Sequence, residues 1–146
     1  MKISKIRDVK TPVRGTEKSA GIDFFVPDDI ITPYCVNPRE SACVPSGIKA
    51  NVPAGFALIV FNKSGVALKR NLAVGACVID EDYQGEIHLH VYNFGTETEV
   101  IDRGEKLVQM ILLPVFYDEI EEVSEGNLFE KESSRGKGGF GSTGNF

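Results

Sequence analysis

The stretch that decides the fold is Phe56-Ala57-Leu58-Ile59-Val60-Phe61, an unbroken apolar run that follows the turn residues Val52-Pro53-Ala54-Gly55. It is too short for a buried helix and has the length of a buried strand. Two further segments read the same way. Glu86-Ile87-His88-Leu89-His90-Val91-Tyr92 alternates polar and apolar residues, and Leu107-Val108-Gln109-Met110-Ile111-Leu112-Leu113 is almost wholly apolar.

Working outward, turn punctuation recurs at short intervals, in Val26-Pro27-Asp28-Asp29, Asn37-Pro38, Val44-Pro45-Ser46-Gly47, Asn93-Phe94-Gly95 and Asp102-Arg103-Gly104. Many short strands separated by such turns predict an all-β barrel or sandwich. No stretch keeps a helical apolar period for three turns. The best candidate, Ser64-Gly65-Val66-Ala67-Leu68-Lys69-Arg70, supports about two turns before Asn71.

From Glu119 the composition shifts to an acidic run and then to the glycine-rich end Ser133-Ser134-Arg135-Gly136-Lys137-Gly138-Gly139-Phe140-Gly141-Ser142-Thr143-Gly144. The expected organisation is a β-barrel body over 1–123 and a flexible glycine-rich arm over 124–146.

The chain has 146 residues, 42% of them hydrophobic and 25% charged, which fits one globular domain with a real core. A formal net charge of −5 opposes a general polyanion surface, so nucleic acid is disfavoured as a partner, while a few local cations can still hold one small anion. Met1 to Lys10 carries cations without an apolar stretch, and no run approaches the length of a membrane span, so a soluble, cytoplasmic protein is expected, or a nuclear one in a eukaryote. Cys35, Cys43 and Cys77 form no CxxC pair. They read as reduced thiols packed in the core.

Residues 135–144 combine glycines that let backbone N–H groups turn toward a phosphate, a guanidinium at Arg135, hydroxyls at Ser142 and Thr143, and a stacking face at Phe140. No Gly-Lys pair is followed by Ser or Thr, which excludes a P-loop. Composition alone leaves open a disordered tail or an arm that touches RNA. Val78-Ile79-Asp80-Glu81-Asp82-Tyr83-Gln84-Gly85 sets acidic residues, an aromatic and a glycine at an expected hairpin turn. His88 and His90 face the same way on one expected strand but lack a third ligand at matching spacing, so they read as plain strand residues.

Together with Ala20-Gly21-Ile22-Asp23-Phe24, Lys63-Ser64-Gly65-Val66-Ala67 and Arg103-Gly104-Glu105-Lys106-Leu107-Val108-Gln109-Met110-Ile111, these motifs resemble the trimeric dUTPase family. All five family motifs occur in family order between Ala20 and Gly144.

The resemblance implies a distorted jelly-roll that hydrolyses dUTP to dUMP and pyrophosphate, with Mg²⁺ as cofactor and a homotrimer whose sites each draw on three chains. It implies that such an enzyme limits uracil incorporation into DNA and supplies dUMP for dTTP synthesis. Asp80 matches the general base that activates the attacking water. Tyr83 matches the tyrosine under the deoxyribose, Val78 and Ile79 belong to the segment that reads uracil by backbone groups, and Gly85 falls where backbone approaches closely. Asp23 matches the aspartate that contacts a magnesium-bound water, the ion itself being held by triphosphate oxygens. Lys63, Ser64, Gly65 and Gln109 match the phosphate-chain positions, with a short helix opening near Ser64. Phe140 matches the aromatic that stacks on uracil, with Arg135, Gly141, Ser142 and Thr143 gripping the terminal phosphate as the arm closes.

Two positions depart from the family pattern. Lys63 stands where arginine is usual, supplying one compact charge instead of a bidentate fork. Cys77 stands where glycine is usual. Two other readings share the fold or the ligand: an enzyme like the dCTP deaminases, whose glutamate position falls on His90 here, and a nucleotide-binding trimer that signals to a protein partner.

Overall fold

The computed structural model of the chain describes residues 1–139. In chain order the elements are β1 (Lys2–Lys5), β2 (Val13–Arg14), β3 (Ile22–Phe25), β4 (Tyr34–Val36), β5 (Ser41–Pro45), β6 (Ile48–Asn51) and β7 (Phe56–Asn62). The short helix α1 (Ser64–Arg70) follows, then β8 (Leu72–Val74), β9 (Val78–Ile79), β10 (His88–Asn93), β11 (Glu99–Ile101) and β12 (Lys106–Pro114). The all-β expectation holds, and each of the three apolar stretches forms a strand within two residues of its expected ends. No helix among the described residues is long and apolar enough to cross a membrane.

Every strand pairing is antiparallel. The sheet that matters most for function runs β2-β3-β12-β7-β9, and a second sheet runs β5-β10-β8. β7 and β12 stay paired from Phe56 with Pro114 to Asn62 with Val108. Their inward residues Leu58, Val108 and Met110 join Phe24, Leu72, Ile87, Leu89, Ile101 and Leu107 in one buried cluster. Fully burying each such side chain contributes roughly 1.5–3 kcal/mol, which ties both sheets to a common core.

α1 ends where the sequence says it must. Lys69 and Arg70 lie in its last turn, where cations suit the carbonyl end, and Asn71 then adopts a left-handed conformation at φ 51°. Arg70 bonds Glu99 at 2.7 Å, Glu105 at 2.6 Å and the Val100 carbonyl at 2.5 Å, fastening the helix to β11 and to the turn before β12. Burial alone would lower the Arg70 pKa, but the two carboxylates outweigh it and the net shift is upward.

The hairpin expected around residues 78–85 takes another form. Val78 and Ile79 pair with Ile59 and Leu58 of β7, whereas β10, after the turn, pairs with β5 and β8. The segment is a crossing between two sheets, because Val78 and Ile79 find their ladder partners on β7 and not on the strand that follows them.

The cysteines also differ from expectation: Cys35, Cys43 and Cys77 are free and exposed. Cys43 lies between buried Ala42 and Val44, so the two-residue period of β5 turns its thiol outward. Cys35 precedes buried Val36 on β4 for the same reason, and Cys77 lies just before β9.

The chain divides into one unit over Met1–Phe116 and a second over Tyr117–Phe146, a boundary seven residues before the expected end of the body at Val123. Just after β12 ends, Val115 N–H donates to the Gly55 carbonyl. In the second unit a 3-10 turn spans Glu125–Asn127, and Ile120 and Phe129 are exposed.

Candidate functional site

Three neighbouring strands bring three motifs into one row. Asp23 on β3 faces Gln109 on β12, and Gln109 faces Phe61 on β7, two residues before Lys63. Directly opposed residues in antiparallel strands share a face, so Asp23 and Gln109 project together toward the place where β7 gives way to α1.

Asp23 is buried, and both of its oxygens are engaged. Lys63 Nζ donates to Oδ1, and Lys106 Nζ lies 3.0 Å from Oδ2. Burial alone would raise the Asp23 pKa, but the hydrogen bonds and charges of Lys63 and Lys106 outweigh it, holding the carboxyl below the usual carboxylate range.

Gln109 is locked from two sides. Its Nε2 donates to the Asn62 carbonyl at 2.9 Å, and Gly21 lies against it so closely that an added Cβ would stand 2.1 Å from Oε1. Gly21 is therefore required for the space it leaves, since its φ is not in the left-handed range. Lys63 occupies the N-cap position of α1 without a side-chain cap, and Ser64 and Gly65 open the helix, both exposed. Nothing lies within 4 Å of a Cβ added at Gly65.

The other motif in the body lies apart from this group. β9 runs antiparallel to β7 from Val78 opposite Ile59 to Ile79 opposite Leu58, which directs Asp80 off the Ala57 end. Glu81 confirms the direction by accepting the Gly55 N–H just before β7 begins. Lys63 follows the other end, so the spacing along β7 from Ala57 to Lys63 is roughly 20 Å at about 3.3 Å per residue. Asp80 is exposed, and its carboxylate has no partner among the described residues.

Tyr83 is 44% exposed and donates its hydroxyl to the Glu86 carbonyl at 2.8 Å. Its ring folds back over Gly85, where an added Cβ would lie 2.3 Å from the hydroxyl. An open pocket of about 450 Å³ lies beside this turn, lined in part by Ile3, Ser4, Lys49, Glu81, Tyr83 and Gln84.

His88 and His90 do share a face, and among the described residues no group of three His, Cys, Asp or Glu side chains could hold a metal ion. His90 Nδ1 accepts the Ala76 N–H at 2.9 Å, and its ring lies 4.8 Å from that of Tyr92. In the second unit, exposed Arg135 donates to the Gly138 carbonyl at 2.8 Å. Phe140, Gly141, Ser142 and Thr143 lie outside the described residues.

Two residues in this neighbourhood went unanticipated. Asn62 contributes its carbonyl to Gln109 and its Oδ1 to the Val74 N–H, and its place directly before Lys63 was the available signal. Lys106 reaches Asp23 from a strand position that regular alternation assigns to the opposite face.

Residues 7–144 match the dUTPase family profile. The human mitochondrial deoxyuridine 5'-triphosphate nucleotidohydrolase is 40% identical over 133 residues, covering 91% of this chain and 50% of that protein, so the chain spans half of that relative's length. The mouse deoxyuridine 5'-triphosphate nucleotidohydrolase is 39% identical over 91% of this chain and 77% of its own. The one from Hydrogenobaculum sp. is 34% identical over 97% of this chain and 96% of its own.

Among solved structures, the dUTPase of Staphylococcus bacteriophage 80alpha with dUPNHPP superposes with a TM-score of 0.82 at 23% identity, covering 98% of this chain and 97% of that chain. The dUTPase from phage phi11 of S. aureus gives 0.78 at 21% identity over 88% and 98%. These likenesses establish the fold, a jelly-roll of the dUTPase type. A profile match spanning both units, supported by relatives of similar length, means that this chain belongs to the dUTPase family.

Proposed function

We propose that this chain hydrolyses dUTP to dUMP and pyrophosphate, Asp80 activating the water that attacks the α-phosphorus. The observation that carries the proposal is the convergence of Asp23, Lys63 and Gln109 beside α1, opposite in kind to Asp80, whose exposed carboxylate has no partner among the described residues. The first group offers charge and hydrogen bonds to an anion, and the second offers a free carboxylate to a proton.

The separation of the two groups supports a site shared between copies. Asp80 lies beside the Ala57 end of β7 and Lys63 follows its other end, roughly 20 Å along the strand at about 3.3 Å per residue. A base that must come within about 2.6–3.2 Å of the attacking water is therefore more readily supplied to this phosphate-binding group by another copy. A homotrimer in which Asp80, Tyr83 and Gly85 of one copy meet Lys63, Ser64, Gly65 and Gln109 of another supplies the missing half. Tyr83 would then lie under the deoxyribose, with the backbone of Val78 and Ile79 at the uracil. Arg135, Phe140, Gly141, Ser142 and Thr143 would close over the nucleotide, excluding bulk water.

Mg²⁺ is compatible with this site only as an ion carried by the substrate. Both Asp23 oxygens are engaged by Lys63 and Lys106, so Asp23 would meet a metal-bound water and not the ion, which commonly takes its ligands from substrate phosphates and water. One phage phi11 dUTPase is described with a structural Mg(II) ion. When bound here, the ion would neutralise charge on the phosphate oxygens, Asp23 meeting one of its waters. The biological consequences of the reaction are a lower dUTP pool and a supply of dUMP, in the cytoplasm or nucleus.

The test is incubation with Mg²⁺ and, separately, dUTP, dCTP, dTTP and UTP, with the products resolved by chromatography. Selective formation of dUMP is expected. Deaminated product from dCTP, or tight binding of dUTP without turnover, would overturn the reading in favour of a deaminase or a signalling trimer.

A further inference from the structure

Lys106 carries no role in the reading so far, yet the backbone is built to aim it at the phosphate-binding group. In a regular strand, residues three apart point to opposite faces, so Lys106 and Gln109 would diverge. Here the β3–β12 register shifts: Phe25 pairs with Lys106 while adjacent Phe24 pairs with Val108, leaving Leu107 as an extra residue. This bulge returns Lys106 to the face shared by Phe25, Asp23 and Gln109, a re-aiming that bulges commonly perform beside functional sites.

The side-chain contacts agree with the backbone. Lys106 Nζ lies 3.0 Å from Asp23 Oδ2 and 5.7 Å from the centroid of the Phe25 ring, while Lys63 takes Asp23 Oδ1. Two ammonium groups thus meet on one buried carboxylate. Asp23 accounts for one of their charges, leaving a net positive centre beside Ser64 and Gln109. Lys106 is also the more accessible of the two, its side chain 46% exposed against 24% for Lys63.

We infer that Lys106 is a substrate-binding residue that acts with Lys63 as a two-lysine clamp on the triphosphate, Asp23 serving as the counter-ion that keeps both ammonium groups in position. This deepens the reading of the site as one for a nucleoside triphosphate. Two compact charges on flexible stems replace a single planar fork, so the clamp answers to charge and not to bidentate geometry. Lys106 should therefore be exchangeable for arginine but not for a neutral side chain of similar length.

The test compares wild type, Lys106→Gln and Lys106→Arg for binding of inorganic tripolyphosphate, of a non-hydrolysable dUTP analogue and of deoxyuridine, with thermal melting of each variant. For Lys106→Gln, tripolyphosphate and analogue affinity should fall about tenfold, as expected for losing one charge-assisted contact. KM should rise by a similar factor with kcat much less affected, deoxyuridine binding should stay unchanged, and Lys106→Arg should restore affinity. The inference is overturned if Lys106→Gln binds both anions as wild type does, or if wild type ignores tripolyphosphate. If tripolyphosphate binding depends on Lys106 while dUTP survives incubation with Mg²⁺, the clamp stands and the reading as a dUTP hydrolase fails.

Discussion

Lys63 and Asp80 lie at opposite ends of β7: Lys63 follows Asn62 directly, whereas the antiparallel β7–β9 register carries Asp80 to the Ala57 end. Under the proposed function, one strand thus holds the anion-binding and proton-accepting halves of the chemistry apart, and a site completed by another copy is the expected arrangement. Sedimentation equilibrium should give three times the chain mass of 16.0 kDa. A monomer that turns over dUTP would contradict this arrangement.

Asp80→Asn should lower kcat by about 10²–10⁴, the usual contribution of a general base. Because Asp80 is exposed and its carboxylate has no partner among the described residues, melting temperature and analogue binding should stay near wild type. Steady-state kinetics beside calorimetric binding check both halves. A variant that loses affinity and rate together would give Asp80 a binding role instead.

Gly21→Ala should disturb substrate binding through Gln109. The new methyl would stand 2.1 Å from Gln109 Oε1 and 2.8 Å from its Cδ, forcing the amide away from the Asn62 carbonyl. Analogue affinity should fall to about the level of Gln109→Ala, and the double variant should be no weaker than either single one, since residues in contact couple non-additively. Additive losses would separate Gly21 from Gln109.

The acid limb of stability should depend on Asp23. Its folded pKa lies below the unfolded value, so its contribution is complete above the unfolded carboxylate pKa of about 3.9 and is lost as pH falls through the depressed folded value. Urea unfolding followed from pH 6 downward should show the Asp23-dependent loss of stability only below about pH 4, with a flatter profile there for Asp23→Asn. Parallel profiles would mean that the ion pairs with Lys63 and Lys106 do not couple to folding.

Much of this was legible because its determinants are local. The run Phe56 to Phe61 could only be a strand, and α1 fills the segment between Lys63 and Asn71, its left-handed end matching an asparagine. What escaped depends on partners distant in sequence. Val78 and Ile79 read as half of a hairpin because periodicity reveals a strand but not its neighbour, here β7. Cys35 and Cys43 read as core because cysteine is usually buried, while the phase of short strands turned them outward. Lys106 was invisible to alternation because the extra residue at Leu107 exists only in the register with β3. The motifs nominate the candidate residues, and the register shows which of them one chain brings together.

The most direct test of a dUTP-hydrolysing site shared between copies is complementation. Asp80→Asn and Gln109→Ala chains are unfolded together, refolded at equal ratio and assayed for dUMP release, with mixed assembly verified by native mass spectrometry. If one copy supplies Asp80 and another Gln109, random mixing leaves about one site in four with both intact, and activity should return to that fraction of wild type. Mixed trimers no more active than their parents would show that Asp80 and Gln109 do not serve one site from different chains, and the account would fail at its centre.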